Sequence, residues 1–138
     1  MHTRIYGLLI AAIAFTATLS CKKSEPAAVC TAPSADKNIL GTWKASLPSS
    51  ATATSNITFN TDGTFQESNS LLVPTTIYNV PVTKRTYAVQ NNMLTLTLSG
   101  TSGSTNVNST LSGSIDANEC NKMEVSLGGV GGKVTLTR

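Results

Sequence analysis

The side chains that could carry chemistry are few: one histidine, His2, three cysteines at 21, 30 and 120, and seven acidic residues. His2 stands ahead of an apolar run from Ile5 to Leu19, in a segment whose removal would leave the rest of the chain without an imidazole. A Ser-His-Asp triad, a Cys-His pair and a histidine-rich metal site would then be out of reach. Carboxylates remain: Glu67, Asp116, Glu119 and Glu124 could in principle divide the acid and base roles of glycoside cleavage. Glu67 shares a strand face with Phe65, and points either inward near a barrel mouth or outward to a hydrated rim. Asp116-Ala117-Asn118-Glu119 has oxygen ligands but neither the spacing nor the glycine of a calcium loop, and reads as a turn. The glycine run Gly128-Gly129-Val130-Gly131-Gly132-Lys133 superficially matches a phosphate loop. Leu127 and Val134 stand where that motif needs Gly and Ser or Thr, so a flexible hairpin is the better account. The expectation is a protein that is no enzyme, holds no metal and needs no cofactor.

The first residues argue for export. Arg4 supplies positive charge ahead of the apolar run, which makes residues 1–20 a signal segment. A run of about 15 residues falls short of the roughly 20 that cross a bilayer as a helix. Thr18-Leu19-Ser20-Cys21 resembles the lipobox of bacterial lipoproteins, in which small residues precede a cysteine that receives diacylglycerol. The family usually has Leu three positions before that cysteine; here the place is Thr18, with Leu19 one step later. The resemblance implies that Cys21 is the lipid attachment site and the first residue after cleavage. An ordinary secretory signal that leaves Cys21 as a free thiol is the alternative.

Residues 21–36 then form the lipidated terminus and a tether, opened by the polar and small residues Lys22 to Ala28. Lys22 is not the acidic residue associated with inner-membrane retention, and the Cys-Lys-Lys opening is similar to lipoproteins of the Bacteroidota. An outer-membrane, lipid-anchored place in the cell envelope is implied, with the bilayer as partner through Cys21 and the side of the membrane left open. With Cys21 lipidated, Cys30 and Cys120 are the one pair in an oxidising compartment, and a disulfide between them is expected; two buried free thiols are the alternative.

Cleavage after Ser20 would leave 118 residues, enough for one core and too few for two. Losing Arg4 leaves nine basic against seven acidic residues, and apart from Lys22-Lys23 and Lys84-Arg85 the bases are scattered singly. No basic stripe suited to a phosphate backbone exists, so nucleic acid is not an expected partner. The five aromatics beyond the signal, Trp43, Phe59, Phe65, Tyr78 and Tyr87, are too few for the girdles of a membrane pore.

The elements that must position these residues are strands. Apolar residues alternate with polar ones in Ile57-Thr58-Phe59, Leu94-Thr95-Leu96-Thr97-Leu98, Met123-Glu124-Val125-Ser126-Leu127 and Val134-Thr135-Leu136-Thr137, and Tyr87-Ala88-Val89 follows suit. Asp62-Gly63 and Asn91-Asn92 suit tight hairpins between Ile57–Asn60 and Thr64–Glu67, and between Tyr87–Gln90 and Met93–Leu98. Further turns are expected over 99–104, 116–121 and 128–132. Pro74 and Pro81 confine Leu71 to Thr83 to an edge, bulge or loop. It is either an apolar lid or contact patch, or an edge strand with Val80 and Val82 in the core. Consecutive hairpins imply an all-β meander of about eight antiparallel strands, closed as an up-and-down barrel, with a β-sandwich as the alternative.

Ile39-Leu40-Gly41-Thr42-Trp43, followed by Ile57 to Phe65 around Asp62-Gly63, resembles the lipocalin-like domains of many Bacteroidota lipoproteins, and Tyr87 to Leu98 resembles the hairpin that follows in that family. The resemblance implies a barrel domain over 37–138, with Trp43 closing its floor and a ligand held near Trp43, Phe59, Phe65, Tyr87 and Leu96. It also sets Arg138 where the family packs an arginine on the floor tryptophan; a solvated, frayed terminus is the other reading. The Thr-Asp-Tyr motif of the larger lipocalins is missing. Two functions follow: binding a small apolar or amphipathic molecule inside the barrel, or, with a packed barrel, docking to or inhibiting an envelope protein.

Overall fold

Two tight turns set the register of the sheet. The structure, a computed structural model, describes residues 30–129 and 132–138; the export segment, Cys21 and the chain up to residue 29 lie outside the described residues. Asn91 and Asn92 both take positive φ, 51° and 56°, which matches the twist of a two-residue hairpin. They join β6 (Lys84–Gln90) to β7 (Met93–Ser102) in register from Gln90↔Met93 to Lys84↔Ser99. Gly63, at φ 79°, and Asp62, whose carboxylate accepts from both the amide and the hydroxyl of Thr64, turn β2 (Ser50–Phe59) into β3 (Phe65–Glu67).

A short helix, α1 (Ala35–Asn38), leads into β1 (Gly41–Leu47), and β8 (Thr105–Asn118), β9 (Lys122–Leu127) and β10 (Gly132–Thr137) complete the meander. The strand order is β3-β2-β1-β10-β9-β8-β7-β6, antiparallel throughout, so the first and last long strands are neighbours. The edges β3 and β6 meet at a single bridge, Thr64 with Thr86, beside which the Tyr87 amide donates to the Gly63 carbonyl at 2.8 Å. The result is an eight-stranded, nearly closed barrel, in line with the expected architecture.

Two expectations about local structure are corrected, and a third is decided between its alternatives. The turn expected over 99–104 shrinks to Gly103-Ser104, because β7 runs on to Ser102 and β8 starts at Thr105. Side-chain hydrogen bonds across this polar stretch, Thr101 to Asn106 at 2.8 Å and Thr95 with Ser112 at 3.2 Å, support strands that lack apolar alternation. Asp116 lies on β8, at a register shift between Ile115 and Ala117, and not in a turn. Leu71 to Thr83 joins the barrel sheet at neither edge: it forms its own hairpin of β4 (Thr76–Ile77) and β5 (Val80–Pro81).

The inward faces form one contiguous apolar cluster. Ile39, Trp43, Ala45, Ile57, Leu96, Leu98 and Met123 are 0% exposed, and Val125, Val134 and Leu136 are at 1%. Burying such side chains is worth about 1.5 to 3 kcal/mol each. Folded contacts also begin ahead of residue 37: Ala35 is in the core, and Cys30 is bonded to Cys120 with their Cα atoms 6.2 Å apart.

Candidate functional site

At the floor, β1 carries Trp43 inward, and its indole N–H donates to the Ile39 carbonyl at 2.7 Å. The Arg138 guanidinium lies over that ring, 4.2 Å from its centre, and donates to the carbonyls of Asn38, Leu40 and Cys120 and to the Asn38 side chain at 2.6 Å. Asn38, itself buried, donates to the Asn118 side chain and to the Glu119 carbonyl. The packed reading of Arg138 holds, and Asn38, which the alternation pattern does not mark, is the hub of this network.

At the opposite end, the chain from Leu71 to Val82 folds inward as a stopper. Leu72 and Val73 belong to the core cluster, and Leu71, Ile77 and Val82 pack against it. Val80 is buried against Gly100, whose missing side chain makes room: a Cβ there would fall 2.0 Å from the Pro81 carbonyl oxygen. Glu67 points inward, as one sequence reading has it. Its two carboxylate oxygens accept the amides of Leu72 at 2.8 Å and Val73 at 3.1 Å, tying the stopper to β3.

Between stopper and sheet lies the seam. Past the Thr64–Thr86 bridge the edges of β3 and β6 part, and a recess of about 510 Å³ opens between them, lined by Thr64, Phe65, Gln66 and Glu67 on one side and Thr83, Lys84 and Arg85 on the other. Arg85 alternates with Tyr87 and Val89 on the inward face of β6. Its Nε is buried and has no hydrogen-bond partner, and among the described residues neither Arg85 nor Lys84 forms an ion pair. The Lys84-Arg85 doublet was the sequence signal for this recess, visible as the one pair of adjacent bases outside the tether.

The five residues expected to hold a ligand come together: Trp43, Phe59, Phe65 and Leu96 belong to the core cluster, and Tyr87 packs against it. Trp43, Phe59, Phe65 and Leu96 are at most 2% exposed. The Phe59 ring lies 6.0 Å from Phe65 and meets Tyr87 edge-on at 4.9 Å. The Tyr87 hydroxyl donates to the Asn60 carbonyl at 2.7 Å, and burial, with the nearby charge of Asp62 second, pushes its pKa up.

The candidate carboxylates are kept apart. Glu67 is inside on β3, whereas Asp116 and Glu124 stand on the outer face of β8 and β9. Hydrogen bonds from Ser126 and Ser114, then Lys133, hold the Asp116 carboxyl below its ordinary value, and Lys122 and Lys133 do the same for Glu124. Lys122 reaches Glu124 at 2.7 Å and Lys133 bridges Glu124 and Asp116 at 3.1 and 3.5 Å. Glu119 is exposed. No helix among the described residues is long and apolar enough to cross a membrane.

Strand order and the filled interior define the class: an all-β, up-and-down barrel of eight strands, stoppered at one end. No protein-family profile matches the chain, and no curated protein is significantly similar to it. Among solved structures, a lipocalin-like protein from Bacteroides thetaiotaomicron is similar, with a TM-score of 0.45 and 12% identity, covering 72% of this chain and 95% of its own. At that level the likeness assigns neither family nor ligand, and the barrel class rests on the strands themselves.

Proposed function

We propose that the chain is a lipid-anchored lipoprotein of the cell envelope that works by binding, not catalysis, and that its barrel is a filled scaffold docking an envelope protein on its outside. The observation that carries this reading is the core: inward side chains of β1, β2, β3, β7, β9 and β10 pack into one cluster, most of them at 0 to 2% exposure, with Tyr87 and Val89 of β6 and Leu111 of β8 laid against it. The anchor rests on the lipobox-like Thr18 to Cys21, and outer-membrane residence on Lys22.

A second reading, a small apolar or amphipathic ligand near Trp43, Phe59, Phe65, Tyr87 and Leu96, is favoured by one specific feature. The mouth is plugged by a separate hairpin that Glu67 ties down through two hydrogen bonds, so an amphipathic molecule could take the stopper's place without breaking the sheet.

Two experiments in the native host test the proposal. Replacing Cys21 with Ser should move the protein from the membrane to the soluble fraction, and retention as firm as that of the parent refutes the anchor. Photoreactive residues at exposed positions 44, 84 and 108, on different parts of the barrel, should give a discrete protein adduct from one region. No discrete adduct from any of them refutes docking.

A further inference from the structure

We infer that the seam recess between β3 and β6 is the docking slot, and that its occupant is an extended, acidic segment of the partner protein. The segment adds to the parted strand edges and sets a carboxylate against Arg85. The inference rests on the docking reading and names its site and the chemistry of the partner.

Three independent observations converge on this slot. First, among the described residues every other pair of neighbouring barrel strands is joined by a ladder of at least three paired residues, whereas here a single bridge at Thr64 and Thr86 is followed by an opening. Parted strand edges present backbone donors and acceptors that an extended chain satisfies by adding as a strand. β3 is three residues long, so the segment that pairs with it spans about 10 Å at about 3.4 Å per residue. Second, the Arg85 Nε is a buried donor with nothing to donate to, and such groups are uncommon in finished structures. Third, the charge of the recess is one-sided. Glu67 is its one acid and its carboxylate is engaged by the amides of Leu72 and Val73, which leaves the positive charge of Lys84 and Arg85 without a counterpart.

A carboxylate supplies what Arg85 lacks, and guanidinium–carboxylate pairing is short, directional and strong where water is excluded. A strand added beside β6 carries alternate side chains to the inward face, next to Arg85, and the others outward to the exposed Gln66 and Lys84. The preferred segment therefore alternates acidic with β-branched residues.

The test uses the chain purified in mild detergent and a synthetic six-residue peptide alternating glutamate with valine or threonine. Saturable binding is expected, with amide shifts in the NMR spectrum centred on Gln66, Lys84 and Arg85. Replacing glutamate by glutamine in the peptide should weaken binding about tenfold, the share of one charge-assisted hydrogen bond. Arg85→Gln should do the same, and methylating alternate peptide amides, which blocks strand pairing, should weaken it at least as much. No saturable binding, shifts centred elsewhere, or indifference to peptide charge or amide methylation overturns the inference. So does free glutarate binding as tightly as the peptide, which would make the recess a small-anion site. If the peptide fails while crosslinking in the host still yields a discrete adduct, docking stands and only this slot falls.

Discussion

The guanidinium of Arg138 stacks on the Trp43 ring at 4.2 Å while its nitrogens reach the carbonyls of Asn38, Leu40 and Cys120. The last residue of the chain thus seals the floor formed by one of the first strand's residues. Arg138 is itself exposed, so its cation–π contact contributes about 0.5 to 1 kcal/mol and its hydrogen bonds about 1 more, and Arg138→Ala should cost about 1 to 2 kcal/mol in a urea titration followed by Trp43 emission. Arg138→Lys should recover less than half of that, because an ammonium cannot stack flat and reach three carbonyls together. A change below about 0.5 kcal/mol in Arg138→Ala would mean that the floor does not depend on this contact.

The Cys30–Cys120 bond closes a loop of 90 residues and fastens the chain ahead of α1 to the turn between β8 and β9. In the chain-entropy account a loop of this length contributes about 4 to 5 kcal/mol. Reduction should lower the urea midpoint correspondingly. Intact mass after denaturing alkylation without reductant should show neither cysteine modified; two alkylated cysteines would contradict the bond.

Glu67 holds the stopper by accepting two amides, so Glu67→Gln, which keeps one weaker acceptor, should loosen it without unfolding the barrel. Hydrogen exchange at Leu72 and Val73 should speed up about tenfold, the equivalent of losing one charge-assisted bond, while Leu96 and Val125 keep their protection. Gly100→Ala should act on the same hairpin from the other side, because the added carbon meets the Pro81 carbonyl. Equal acceleration throughout the barrel would show that the stopper is part of one cooperative unit.

Asp116 and Glu124 have carboxyls held below their ordinary 3.8 and 4.5, chiefly by Ser126 and by Lys122 respectively. A folded-state pKa below the unfolded one contributes stability that is present above the unfolded value and is lost as pH falls through the folded value. The urea midpoint should therefore hold steady near neutrality and drop below about pH 4.5, and Glu124→Gln should flatten the drop. Both groups are on the surface, so 1 M salt should shrink the effect. A midpoint independent of pH between 5 and 2.5 would refute the assignment.

The sequence made the barrel legible where apolar residues alternate and where turn residues are unambiguous. β7, β9 and β10 follow from their leucines, valines and Met123, and the hairpins at Asp62-Gly63 and Asn91-Asn92 need the backbone those residues tolerate. β8 was hidden. Its inward positions 107, 109, 111, 113 and 115 read Val, Ser, Leu, Gly and Ile, too broken a pattern to declare a strand, and the ladder to β7 stabilises it instead. The stopper was ambiguous because its prolines forbid a central strand without saying where the segment folds, and Gly100, which receives it, lies 19 residues after Pro81 in a serine- and threonine-rich stretch. Of the recess, only the Lys84-Arg85 doublet could be read in advance. The parting of β3 from β6 is a property of barrel closure, which no local pattern encodes.

A filled barrel that acts through its outer surface is the central claim, and native mass spectrometry of the chain purified from its own host tests it most directly. The account predicts the mass of the mature lipidated chain, with its disulfide and nothing further retained after gentle removal of detergent. A stoichiometric apolar or amphipathic molecule that stays with the wild type, and is lost when Leu96 or Phe59 is enlarged or replaced, would contradict it.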